Sequence, residues 1–156
     1  MTVTVDIDLG YEFAVNAPFK KVFDVLSDVP TSASFFPQLE QLVDLGKGVY
    51  RWEMAKAGTA QVHIQTVYAS KYTCDRAKGT VVWVPVKGQG NALVSGSWKV
   101  VKKKKSTALE FRVFGSVDVA LPALMTMVVV PVVRNEFETL VEKYIDNLIN
   151  HFGGEA

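Results

Sequence analysis

The sequence predicts an α+β fold in which one curved, seven-stranded antiparallel sheet wraps a long C-terminal helix, with two short helices after the first strand. Three observations predict it. Strict two-residue alternation opens the chain, six further strand-like segments follow on short connections, and a helix with a long apolar stripe closes it. The 156 residues, 49% hydrophobic and 21% charged, suit one packed domain over 1–156 and exclude a disordered chain. A net charge of +1 gives no reason to expect a nucleic-acid partner.

In the first element, Val3, Val5, Ile7, Leu9, Tyr11, Phe13 and Val15 alternate with Thr4, Asp6, Asp8, Gly10, Glu12, Ala14 and Asn16. This is a strand with one wet face. A helix is predicted from about Pro18, whose missing N–H costs nothing at a helix start. Phe19, Val22, Phe23 and Leu26 form its buried stripe. It ends at Asp28-Val29-Pro30, because a residue before proline avoids helical angles. A second short helix is expected over 31–36, stopped by Pro37.

Strands are predicted at 39–45, 49–56, 60–73, 80–87, 92–102 and 107–119. The connections between them are short and carry turn residues, among them Gly46-Lys47-Gly48 and Gly88-Gln89-Gly90-Asn91. Links this short make sequential strands antiparallel neighbours. Pro85 cannot donate to a ladder, so a bulge or break is expected there. In the last helix Phe137, Leu140, Val141, Tyr144, Ile145, Leu148, Ile149 and Phe152 recur at helical spacing. Asn135 and Glu138 resemble a capping box at its start, and Gly153-Gly154 supplies its stop. An earlier start near Pro122, with a kink at Pro131, is the alternative.

The stretch Phe13-Ala14-Val15-Asn16-Ala17-Pro18-Phe19-Lys20-Lys21-Val22-Phe23-Asp24-Val25-Leu26-Ser27-Asp28, with Phe35-Phe36-Pro37, Gly96-Ser97-Trp98 and the final helix, resembles the START-like superfamily. This group, also called SRPBCC, includes the birch-pollen-allergen family and the polyketide cyclase/dehydrase group. The resemblance spans about residues 3–152. It implies a helix-grip fold with an apolar cavity between sheet and long helix. Members bind lipids, sterols, isoprenoids or polyketides, and a minority catalyse cyclisation or dehydration. No catalytic motif unites them, so the resemblance assigns no catalytic residue and implies no cofactor.

Strand parity says which side chains face the helix. They are Tyr50, Trp52 and Met54; then Val62, Ile64, Thr66, Tyr68, Ser70 and Tyr72; then Val94, Gly96, Trp98 and Val100; then Leu109, Phe111, Val113 and Val117. The candidate ligand-binding set is Tyr50, Trp52, Met54, Thr66, Tyr68, Tyr72, Trp98 and Phe111, with Met125 at an entrance and Tyr144 from the last helix. Such residues either fill a solid core or line a small-molecule site. Inward hydroxyls at Thr66, Tyr68, Ser70 and Tyr72 need partners, since an unsatisfied buried hydroxyl costs roughly 1–3 kcal/mol.

Other chemistry is poorly supported. Cys74, the one cysteine, excludes a disulfide, and parity places it on the opposite face from His63, eleven residues away. Two histidines and a set of wet-face carboxylates make no metal site. Gly88 to Asn91 lacks the third glycine and the helix of a phosphate loop, so it is a turn. The four lysines Lys102 to Lys105 read as a solvated turn, or in the sharper reading as a contact for an acidic surface. The apolar run Val119 to Val133 is broken by two prolines and falls short of the roughly 20 residues of a membrane span. With no secretory pattern at the start, a cytoplasmic protein is expected.

Three functions remain open. The first is binding or transport of a small hydrophobic molecule of the lipid, isoprenoid or polyketide class. The second is a cyclase or aromatase acting on such a molecule, although parity turns Glu110 and Arg112 outward. The third is a module that touches a membrane or partner through Met125, Met127 and the lysine turn, without stable insertion.

Overall fold

The computed structural model describes residues 2–58, 63–120 and 126–156. In chain order the elements are β1 (Thr2–Val15), α1 (Phe19–Ser27), α2 (Val29–Ala33), β2 (Leu39–Gly46), β3 (Val49–Met54), β4 (Ala57–Gly58), β5 (His63–Ile64), β6 (Val67–Asp75), β7 (Thr80–Val86), β8 (Ala92–Lys102), β9 (Thr107–Ala120) and α3 (Thr126–His151). Seven strands form one antiparallel sheet in the order β1-β9-β8-β7-β6-β3-β2, while β4 and β5 pair separately. The alternation of the opening strand is explained by its pairing. β1 runs against β9 in unbroken register from Thr2↔Ala120 to Val15↔Thr107.

α1 starts after Pro18 and buries Val22, Phe23, Val25 and Leu26. The second helix occupies Val29–Ala33 instead of 31–36. Asp28 explains the shift. Its carboxylate accepts from the Thr31 N–H at 3.4 Å, and Pro30 sits in the first turn, where it lacks only an N–H that would have no partner.

The predicted strand 60–73 is also corrected. β6 begins at Val67 and runs to Asp75, while 63–64 pairs with 57–58 in a minor hairpin. A side chain ends the ladder. Asn91 Oδ1 accepts from the Val67 N–H at 2.9 Å, and Asn91 Nδ2 donates to the Gln65 carbonyl at 3.0 Å. The backbone groups of Val67 and Gln65 that would extend β6 on the edge away from β3 are therefore spent on the turn before β8, while on the β3 edge the Thr66 carbonyl still accepts from Met54.

Pro85 breaks one ladder and spares the other. β7 pairs with β6 from Asp75↔Thr80 to Ala69↔Val86, but its pairing with β8 stops at Trp83↔Gly96. Beyond that point the Val94 carbonyl of β8 accepts from the Ser70 hydroxyl at 2.8 Å. Ser70, fully buried on β6, supplies a donor where proline has none. Ser70→Ala is expected to cost about 1–3 kcal/mol, the penalty of an unpaired buried carbonyl. Urea unfolding measures it, and a change within about 0.5 kcal/mol would mean that Val94 finds another donor.

α3 already includes Asn135 and Glu138 well inside its span, so they cap nothing and the helix starts before them, with Pro131 within it. Its sheet-facing stripe is Val129, Val133, Leu140, Val141, Tyr144, Ile145 and Leu148, all buried. At the C-terminus Gly153 and Gly154 adopt φ of 88° and 102°, and the Gly154 N–H donates to the Ile149 carbonyl at 2.9 Å. Left-handed angles at this position favour glycine and close the helix in a Schellman turn. The chain then returns to β1, where the Asn16 N–H donates to Gly154 at 3.0 Å and the Ala156 N–H to Ala14 at 2.9 Å. Among the described residues no helix is long and apolar enough to cross a membrane.

Candidate functional site

The concave face of the sheet, α3 and the short helices enclose an internal cavity of about 80 Å³. Each element contributes through parity or helical spacing. β3 brings Trp52 and Met54, β6 brings Tyr68 and Tyr72, β7 brings Trp83, and β8 brings Trp98. β9 adds Phe111 and Gly115, α3 adds Phe137 and Tyr144, and the α2 region adds Ser32 and Phe36. Among the described residues none of the lining is charged.

The aromatic rings form one connected set. Trp52 and Tyr68 stack at 5.8 Å and 10°, and Trp98 lies 4.6 Å from Phe111. Trp83 bridges Tyr72 at 5.6 Å and Phe111 at 5.9 Å, while Tyr144 approaches both Trp98 and Phe111 at 6.2 Å. These separations fall within the range for favourable offset and edge contacts. Trp83 lies over Gly96, where an added methyl would come within 2.5 Å of its ring. Glycine at 96 is what lets the indole reach the sheet floor.

The polar groups are few and neutral. Tyr144 and Ser32 share a hydrogen bond of 2.5 Å that ties α3 to α2. Burial pushes the Tyr144 phenol up to about 12. Tyr68 is raised further, by burial and then by Tyr144, and Tyr72 by burial and then by Tyr68 and Tyr144. The Tyr68 and Tyr72 hydroxyls make no hydrogen bond with good geometry among the described residues. The Tyr72 hydroxyl does approach the Trp52 indole N–H, which favours its charged form slightly. That approach lacks hydrogen-bond geometry, and Trp52 Nε1 is buried without a partner among the described residues.

No family model matches the chain, and no curated protein matches it in sequence. Solved structures do match. A START superfamily protein from Mycobacterium smegmatis superposes with a TM-score of 0.67 at 12% identity, over 93% of this chain and 96% of that one. The Zhui aromatase/cyclase from Streptomyces gives 0.60 at 18% identity, over 93% and 90%. This chain has the START-like helix-grip fold. The di-domain aromatase/cyclase StfQ of the steffimycin biosynthetic pathway also matches, at 0.60 and 10% identity, over 95% of this chain and 51% of that one.

Within this START-like grip, seven residues of the sequence-derived set line the cavity: Trp52, Met54, Tyr68, Tyr72, Trp98, Phe111 and Tyr144. Tyr50 stands outside the lining, edge-on to Tyr72 at 5.9 Å. Thr66 is buried but also outside it, in the connection just before β6, where its carbonyl accepts from the Met54 N–H at 2.9 Å. Met125 lies outside the described residues, and Met127 is 88% exposed on α3. Trp83 lies outside the sequence-derived set, although it shares parity with buried Val81 on β7 and that spacing marks it as inward. Ser32 and Phe36 had no such signal, because α2 is too short to show a period. Glu110 and Arg112 are exposed, with Arg112 3.4 Å from Asp8 and clear of the cavity.

Proposed function

We propose that this chain binds a small apolar molecule of the lipid, isoprenoid or polyketide class between its sheet and α3, and releases it unchanged. The observation that carries this reading is an aromatic cavity with no charged residue in its lining among the described residues. Acid–base catalysis works best with a group that titrates near the working pH. The polar groups here are phenols held protonated by burial. They can orient a ligand and are poorly suited to move its protons. The START superfamily and aromatase/cyclase neighbours support a ligand-holding cavity of this kind.

Native mass spectrometry of the protein purified from cells tests the reading, and a co-purifying apolar molecule is expected. A panel of lipids, isoprenoid quinones and aromatic polyketides, followed for binding and for chemical change, tests it independently. A protein that is empty in every preparation and binds nothing in the panel would end it. The cyclase reading takes its place if the panel shows turnover that Tyr68→Phe or Tyr72→Phe abolishes while binding persists.

A further inference from the structure

We infer that the open edge of β1 docks an extended, basic peptide segment of another protein as an added strand, independently of what the cavity holds. β1 is the end strand of the sheet, with β9 on one side. The other side is marked by two carbonyls that face it. The Asp6 carbonyl accepts from Arg134 Nε at 3.0 Å, and the Ala14 carbonyl accepts from the Ala156 N–H at 2.9 Å. Asp8, Gly10 and Glu12 share that parity, so each turns one N–H and one C=O to the open side. Among the described residues no backbone pairs with them there. A row of such groups is a template for a further strand. The chain itself shows that this edge accepts one. Its residues 154–156 lie antiparallel on β1, where Val15 bridges Glu155 and the Asn16 N–H donates to the Gly154 carbonyl at 3.0 Å. A strand laid along Glu12, Gly10 and Asp8 continues the same ladder.

Charge selects the occupant. Asp8 and Glu12 stand on the outer face of the edge, and Glu12 lies directly opposite Glu110 of β9, a like-charge pair that an added cation relieves. These three carboxylates line a surface groove with Arg112, its one cation among the described residues. Arg112 is already engaged, with Asp8 at 3.4 Å and over the Phe114 ring at 5.4 Å. On the inner side Glu138 and Glu142 of α3 approach Tyr11, whose phenol is raised by burial and then by these two carboxylates. In an added strand, the residues opposite Asp8 and Glu12 set their side chains beside those carboxylates, and the alternate residues point toward Glu138 and Glu142. Lysine or arginine suits both positions. A second copy of β1 brings Asp6, Asp8 and Glu12 against the same acids and is disfavoured.

Backbone amide NMR of the full chain, titrated with a capped hexapeptide of three Lys-Thr repeats, tests this. Saturable shifts are expected at Asp8, Gly10 and Glu12, weakening as salt is added because the charges are exposed. Two control peptides separate charge from strand pairing. A Glu-Thr analogue keeps the backbone and reverses the charge. A Lys-Thr peptide N-methylated at every residue keeps the charge and removes the backbone donors. Each should lose the shifts at these three residues.

Two variants locate the site. Gly10→Pro removes an edge donor and sets a ring in the path of the strand. Proline is tolerated on an edge whose N–H faces solvent, and an added Cβ meets only the flexible Arg112 side chain, at 3.0 Å. Binding several-fold weaker with an unchanged thermal midpoint is expected. Glu12→Lys replaces the Glu12–Glu110 opposition by an opposite-charge pair, so it should fold at least as well and bind the Lys-Thr peptide several-fold more weakly. It decides the matter if Gly10→Pro fails to fold. Equal binding of the N-methylated peptide means charge attraction without an added strand and overturns the inference. So do shifts confined to another surface, no shifts at millimolar peptide, or a Glu12→Lys variant that binds like the parent. Concentration-dependent broadening of the Asp8, Gly10 and Glu12 amides without peptide assigns the edge to a second copy and overturns the basic partner.

Discussion

Trp98→Ala is expected to remove about 3–5 kcal/mol of stability, the range for deleting a large buried aromatic. Trp98 is 2% exposed and sits where three elements meet. Its ring faces Phe13 of β1 at 6.0 Å, Phe111 of β9 at 4.6 Å and Tyr144 of α3 at 6.2 Å. No single neighbour can fill the void, because each is fixed by its own contacts. Tyr144 is held by Ser32, and Phe111 is braced by Trp83. Against a typical total of about 5–15 kcal/mol, such a loss leaves a marginal protein. Urea or guanidinium unfolding reads it directly. The enlarged cavity should also accept indole, raising the melting temperature of the variant and leaving that of the parent unchanged. A cost under about 1.5 kcal/mol would mean that the neighbouring rings collapse into the space.

A second large effect is expected at alkaline pH. Tyr68, Tyr72 and Tyr144 are raised in the folded state above the ordinary phenol value of 10.0, chiefly by burial. Below pH 10 both folded and unfolded chains keep these protons, so the stability from the buried phenols is fully present. Above it the unfolded chain releases them first and is favoured. Each tyrosine then removes up to about 1.4 kcal/mol per pH unit, so three together remove about 4. The share of Tyr144 levels off near 12. Unfolding midpoints at half-unit steps from pH 9.5 to 11.5 should fall steeply, and Tyr68→Phe should flatten the slope by about a third. A midpoint that stays level to pH 11 would show that these phenols reach solvent.

The sheet was legible wherever a strand has one wet and one buried face. β1, β8 and β9 follow that pattern, and their predicted bounds agree with the structure to within about a residue. Legibility failed at 60–66, where alternation continues through Val62, Ile64 and Thr66 although the main ladder starts at Val67. Periodicity cannot see that the Asn91 side chain takes the hydrogen bonds at Val67 and Gln65. Asn135 and Glu138 misled for a related reason. A capping pattern is also an ordinary pair of helix-surface residues when the helix starts earlier.

The candidate site was half legible. Parity brought Trp52, Tyr68, Trp98 and Phe111 together, because strands of one sheet share a face. It could not say that Ser70 is committed to Val94 across the gap left by Pro85, nor that α2 contributes Ser32. Both depend on contacts between segments distant in sequence, which no local pattern records.

The pairing of β1 with β9 also bears on how the chain is made. The strand synthesised first waits for one synthesised about a hundred residues later, and contacts so remote in sequence slow folding. Until then β1 is an unpaired, alternating strand, the kind of segment that recruits a second copy of itself. Asp6, Asp8 and Glu12 on its exposed face put like charges opposite one another in any in-register pairing of two nascent chains. The acidic face that plays no part in the cavity thus acts as a gatekeeper, keeping a slow-closing chain soluble until Thr107 to Ala120 arrive to complete the sheet.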